Sequence, residues 1–308
     1  MNVNLVNSIE RKQRIERRDL IEKDLILHQL LLDLSKEKFF SQNFLFKGGT
    51  CLIKCYYGYI RFSEDIDFTW KRQRLFSGKS QGRIRKILSE IIDETGSIFE
   101  KVAAKRGLDF ICKKSDKNFV ELGGSNKFCT LKIWYDSQVL LRKSFVKVQI
   151  NFVEKLCFKP NKVELRSLLK KRDPELKALF PEYEEIVQPI SFDAYNLNEI
   201  LSEKVRALLT RRGTKARDFL DVYFIYKYYR IKPEDVEKCI KRKVKFALTR
   251  FTRFRSNMRE KVRLLNDEKL FDWGEERGLL LSKIDESEFY MFLDSFQDYL
   301  KRLVSNFA

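Results

Sequence analysis

The sequence predicts an α+β protein in two parts, strands and helices over residues 1–190 and helices alone over 191–308. Three observations lead there. Val146–Phe152 alternates strictly, with Val146, Val148, Ile150 and Phe152 on one face and Lys147, Gln149 and Asn151 on the other, which marks a half-buried strand. From about residue 195 onward apolar residues recur only at helical spacing. Between these regions, four of the five prolines fall between Pro160 and Pro189 in a chain otherwise poor in Gly and Pro, so this stretch reads as an interdomain connection.

The elements follow in order. Residues 8–38 read as one helix with Leu25, Leu27, Leu30, Leu31, Leu32 and Leu34 on its apolar side. Phe44-Leu45-Phe46 is a short buried strand running into Gly48-Gly49. A helix over 50–58 then starts on Thr50, a residue type that caps helix N-termini. Ile66–Trp70 is a strand, and 80–106 a helix carrying Ile84, Ile87, Leu88, Ile91 and Ile92. Phe119–Leu122 and Phe128–Tyr135 form a hairpin around Gly123-Gly124-Ser125-Asn126. In the second part, Asn198–Arg211 is a helix ended by Gly213, and 215–229, 233–265 and 285–306 are helical.

At 308 residues with 44% apolar content the chain folds and is not a disordered tail. It has no apolar run of membrane-spanning length and no apolar leader, so it reads as cytoplasmic with no membrane partner. The six cysteines contain no CxxC pair and read as reduced core thiols. The single histidine, His28, reads as a helix-face residue. One histidine excludes multi-histidine metal chemistry, so catalysis falls to carboxylates, lysine and metal. The net charge of +18 favours a polyanionic partner, and RNA or DNA is the natural candidate. Between Val236 and Arg263, eleven Lys/Arg face two Glu. Phe246, Phe251 and Phe254 interleave with them and read as core, and the charges as phosphate contacts.

Gly48-Gly49-Thr50, followed by Arg61-Phe62-Ser63-Glu64-Asp65-Ile66-Asp67-Phe68, carries the chemistry. Glycines let backbone N–H groups approach a phosphate, and a helix starting beside them adds its dipole. Asp65 and Asp67 share one strand face while Ile66 and Phe68 point into the core. Two adjacent carboxylates repel, and a divalent ion relieves that. A notch for phosphate beside a metal pair suits phosphoryl or nucleotidyl transfer.

Two blocks then point to a family. Lys47-Gly48-Gly49-Thr50 with Leu52, and Arg61 through Phe68, are the first; Glu203-Lys204-Val205-Arg206-Ala207-Leu208 with Arg217-Asp218-Phe219-Leu220-Asp221 is the second. Together, over roughly residues 40–230, they resemble the AbiEii/AbiGii-type nucleotidyltransferase toxins of the polymerase-β-like superfamily. The resemblance implies a mixed sheet flanked by helices, then a helical domain, with the active site in the cleft between. It implies transfer of a nucleoside monophosphate from an NTP to an acceptor such as the 3′ end of tRNA, and a cognate antitoxin protein. Gly48, Gly49 and Thr50 would hold the triphosphate, supported by Arg61 and Ser63. Asp65 and Asp67 would bind Mg²⁺. Lys204 would contact nucleotide phosphates as a catalytic residue, and Asp218 and Asp221 would complete the site. Asp218 and Asp221 read equally well as salt-bridge partners of Arg211, Arg212 or Arg217, and Lys204 as a lysine reaching out of its helix.

One departure stands out. Where the family strand often reads Lys-x-Glu-Ile-Asn, this chain has Lys147-Val148-Gln149-Ile150-Asn151. A neutral amide holds Mg²⁺ less strongly than a carboxylate. Either Asp221 substitutes for the missing acid, or activity is weak or lost. An acceptor other than RNA, or a decayed scaffold that binds RNA or a partner, are the alternatives.

Overall fold

The computed structural model describes residues 2–267 and 270–307. The chain forms two compact units. One comprises Met1–Glu154 and Pro160–Ala194, the other Lys155–Lys159 and Tyr195–Ala308.

The first unit is built on a sheet. Its elements are α1 (Val3–Gln13), α2 (Arg18–Lys36), α3 (Lys38–Asn43), β1 (Phe44–Lys47), α4 (Gly48–Cys51), β2 (Asp65–Trp70) and α5 (Gln81–Lys105). There follow β3 (Val120–Gly123), β4 (Phe128–Ser137), β5 (Arg142–Asn151), β6 (Asn161–Leu165), α6 (Pro174–Leu179), α7 (Tyr183–Ile186) and β7 (Ile190–Ala194). The seven strands pair in the order β3-β4-β5-β2-β1-β7-β6. β2/β5 and β1/β7 are parallel and the other pairs antiparallel, so the sheet is mixed.

Strand alternation divides the two faces. Phe46 pairs with Phe68 and Phe44 with Trp70 across β1/β2, and Ile66 with Val148 and Phe68 with Ile150 across β2/β5. This apolar face packs on Phe40 of α3, whose ring lies 4.7 Å from that of Phe68 and 5.7 Å from that of Phe99 of α5. The opposite face therefore carries Lys47, Asp65, Asp67, Lys147 and Gln149. The β3/β4 hairpin turns through Gly124, Ser125 and Asn126, all with positive φ, as the sequence led us to expect.

Three expectations are corrected. The helix expected over 8–38 is two helices, broken at Arg14 in the left-handed region (φ 56°). The break turns the chain back so that Leu5, Val6 and Ile9 of α1 are buried. The proline-bearing stretch does not serve as an interdomain connection: it supplies the edge strand β6, the short helices α6 and α7, and β7, all inside the sheet unit. The helix after Gly49 begins at Gly48 and continues as a π-helical segment, Leu52–Tyr57.

The second unit is helical: α8 (Leu197–Thr210), α9 (Ala216–Tyr229), α10 (Glu237–Arg250), α11 (Thr252–Asn266) and α12 (Glu286–Val304). Asn196 caps α8 through its side chain, which accepts from the Asn198 amide at 2.8 Å. Phe251, in an extended conformation, separates α10 from α11. No described helix is long and apolar enough to cross a membrane.

Candidate active site

The site in the sheet unit is built where β1 gives way to α4 beside the start of β2. Gly48 has φ +79°, and a Cβ there would lie 2.2 Å from Asp67 Oδ2. The Asp67 carboxylate thus fills the space a side chain would need. A Cβ on Gly49 would lie 2.6 Å from Arg61 Nη2 and 3.2 Å from Ser63 Oγ. Both glycines are required by close approach, one by a carboxylate and one by a guanidinium.

Thr50 is not the helix cap. Lys47 holds that position, and Thr50 sits buried in the first turn, 1% exposed. Its hydroxyl reaches the Asp65 carbonyl oxygen and, at 2.9 Å, Ser63 Oγ. It braces the start of α4 against the start of β2. Arg61 is 1% exposed and donates to the Phe62 carbonyl at 2.7 Å, so it too acts from inside the loop. Lys23 and Glu64 pair at 2.9 Å and tie the same loop to α2.

Asp65 and Asp67 are part-exposed while Ile66 and Phe68 between and beyond them are buried. In register, Lys147 stands opposite Asp65 and Gln149 opposite Asp67 on β5, and Lys47 opposite Asp67 on β1. Two carboxylates therefore sit on a face shared with two lysines and one amide. These are hard oxygen donors at one end of the site, with Gln149 able to offer an amide oxygen as a third. The set suits a hard divalent cation. Sequence reasoning assigned Lys47 and Lys147 no role; strand alternation and register were the signals that place them.

Lys204, Asp218 and Asp221 form a cluster in the helical unit. Lys204 Nζ lies 2.9 Å from Asp218 and 2.6 Å from Asp221, and Arg211 Nη1 lies 2.6 Å from Asp218. The Asp218 and Asp221 side chains are 3% and 0% exposed and that of Lys204 13%. Burial works to raise the Asp218 carboxyl, but Lys204 and Arg211 outweigh it and hold it well below the usual carboxylate range. Lys204 reaches out of α8 and meets the two buried aspartates of α9. Asp221 spends its charge on Lys204 inside this unit, which leaves it poorly suited to stand in for a metal-binding acid.

The basic stretch is split by burial. Lys243 and Lys261 are buried, whereas Arg242, Lys245, Arg250, Arg253, Arg255 and Arg259 are exposed. Phe246, Phe251 and Phe254, expected in the core, are only half-buried. Arg250 lies over the Phe246 ring at 4.5 Å and Arg253 over Phe254 at 5.3 Å. His28 is buried at 1% exposure; burial first, then the charge of Lys54, pushes its pKa well below the ordinary value.

A mixed sheet bearing a glycine-led helical turn against paired strand carboxylates is the arrangement of a nucleotidyltransferase. The chain belongs to the family described as nucleotidyl transferase AbiEii toxin of type IV toxin–antitoxin systems, whose family model matches residues 29–302. No curated protein matches it. Among solved structures it is similar to JHP933 from Helicobacter pylori, at 15% identity and TM-score 0.45 with 94% of each chain covered. A second H. pylori structure, described as a candidate nucleotidyltransferase, is similar at 15% identity and TM-score 0.44, covering 94% of this chain and 98% of that one.

Proposed function

We propose that the chain transfers a nucleoside monophosphate from an NTP to an RNA hydroxyl, the 3′ end of tRNA being the acceptor. It does so in the cytoplasm, as a toxin opposed by a cognate antitoxin protein. The observation that carries the reading is the Asp67 carboxylate against Gly48, with Asp65 on the same strand face.

In this reading the backbone at Gly48 and Gly49 lies beside the triphosphate, with the Asp67 carboxylate and the Arg61 guanidinium packed against it. Thr50, Arg61 and Ser63 fix that backbone from behind. Asp65 and Asp67 would hold Mg²⁺, which neutralises charge on the phosphate oxygens when bound. The acceptor oxygen attacks the α-phosphorus in line, the bond to the β-phosphate oxygen breaks, and pyrophosphate leaves. Lys147 and Lys47 flank the carboxylates and offset their mutual repulsion. In the helical unit, Asp218 and Asp221 hold the Lys204 ammonium in place. The work is positioning and charge stabilisation, which fits a chain whose one histidine is buried. The exposed arginines of α10 and α11, with half-buried phenylalanines beside them, support RNA as acceptor.

Asp65→Ala and Asp67→Ala should each abolish growth inhibition when the chain is expressed in bacteria. Toxicity that survives both substitutions sinks the proposal. Gln149 opposite Asp67 favours a second reading, a scaffold whose activity has decayed. Gln149→Glu probes it: a rise in transfer indicates decay, and no change favours an intact site that uses the amide.

A further inference from the structure

Two thiols that the proposed reaction does not use meet in the helical unit. Cys157 lies on the segment Lys155–Lys159 and Cys239 near the start of α10. Their Sγ atoms and one carboxylate oxygen of Glu199 all lie within 4.8 Å of one another. At this range the two thiols influence each other's ionisation, and Ser202 that of Cys239. Cys157 is part-exposed and Cys239 buried.

Their surroundings differ in a way that assigns roles. The Cys239 thiol lowers the pKa of Cys157; burial and Glu199 oppose it, Lys243 and Arg242 assist, and the net direction is down. Cys239 moves up, through Cys157 and through burial. The thiolate therefore forms first on the more accessible sulfur, with a protonated thiol held behind it. A low-pKa accessible cysteine beside a resolving cysteine is the arrangement that responds to oxidants.

A metal is the competing use, since two sulfurs and a carboxylate suit zinc. Glu199 argues against it. One of its oxygens accepts from the amides of Cys157 and Phe158, each at 2.8 Å, and the other meets Lys243 Nζ at 2.6 Å. The Lys243 side chain is 0% exposed, so a dication would have to sit beside a buried ammonium.

We propose that Cys157 and Cys239 form a peroxide-sensitive pair that closes to a disulfide, tying Lys155–Lys159 to α10. The Cys157 thiolate attacks one oxygen of hydrogen peroxide. The O–O bond breaks, the second oxygen leaves as hydroxide and takes a proton to become water, and Cys157 is oxidised to the sulfenic acid. The Cys239 sulfur then attacks the Cys157 sulfur; its proton and the departing hydroxide form a second water. Overall two thiols and one peroxide give one disulfide and two waters. This inference rests on the helical unit alone, so it stands or falls apart from the nucleotide site.

The test is peroxide treatment of the full chain, followed by alkylation and peptide mapping. A cross-linked peptide pair holding Cys157 and Cys239, reversed by dithiothreitol, is expected, while the other four of the six cysteines alkylate. Cys239→Ser should instead accumulate a dimedone-trapped sulfenic acid at Cys157, and Cys157→Ser should give neither product. Cys157 left alkylatable under peroxide, or paired to a different cysteine, overturns the proposal. So does one zinc per purified chain that is lost in both serine variants, because the sulfurs would then be ligands.

Discussion

At Gly48 two constraints coincide: a left-handed backbone and a carboxylate in the place of a side chain. Gly48→Ala must either displace Asp67 or move the start of α4. A misplacement of this kind costs on the order of 100-fold in rate. We expect transfer to fall by about that factor while circular dichroism stays native; near wild-type transfer would count against the site. Lys204→Ala tests something else, because it removes the ammonium that pairs with buried Asp218 and Asp221. Breaking such a buried pair costs about 3–5 kcal/mol, measured as a lower denaturant midpoint, so lost activity in this variant is not by itself proof of catalysis. The pH dependence has a definite sign. Asp218 is depressed in the folded state, so its stabilisation is complete above the unfolded value of about 4 and lost as pH falls below it. His28 is also depressed; the unfolded chain binds its proton more readily, so stability drops by up to about 1.4 kcal/mol per pH unit below roughly 6.5. His28→Gln should flatten a melting-temperature profile between about pH 7 and 5; an unchanged slope would contradict a neutral buried ring. Of these residues, Gly48, Asp65 and Asp67 were legible from type and spacing. The pairing of Lys204 was not, because a lysine on a helix looks the same in sequence whether it meets water or two buried aspartates.

At the scale of elements, β2 decides where the chemistry sits. Its alternation sends Phe68 into a cluster with Phe40, Phe46 and Phe192, at ring distances of 4.7, 5.5 and 5.8 Å, and Asp67 to the other face. Phe68→Ala should cost about 3–5 kcal/mol and loosen the carboxylates with it; a stability loss well under that range would mean the cluster does not hold the strand. Strands with clean alternation, β2 and β5, were readable in the sequence, as was the β3/β4 hairpin from its turn residues. The edge strand β6 was not: Lys162-Val163-Glu164-Leu165 alternates, but the run is short, buries only Leu165, and falls in the stretch read as a linker. β7 lies close to Pro189 and was masked by the reading of prolines as a linker. The break at Arg14 has no Gly or Pro to announce it and follows from the packing of α1 on α2.

For the whole molecule, the net charge of +18 is the property that reaches furthest. If about six phosphates are contacted, RNA affinity should fall about 1,000-fold between roughly 50 and 200 mM salt. A salt-insensitive acceptor would turn the reading toward a small molecule or a protein side chain. Charge reversal of Arg250, Arg253 and Arg255 should weaken RNA binding without changing NTP binding. The most direct test incubates the purified chain with total tRNA, Mg²⁺ and each α-labelled NTP in turn, beside the Asp65→Ala/Asp67→Ala double variant. Label moving onto tRNA with the wild-type chain alone is the predicted result. Label on RNA from both proteins, or on RNA from neither with any NTP, would contradict it.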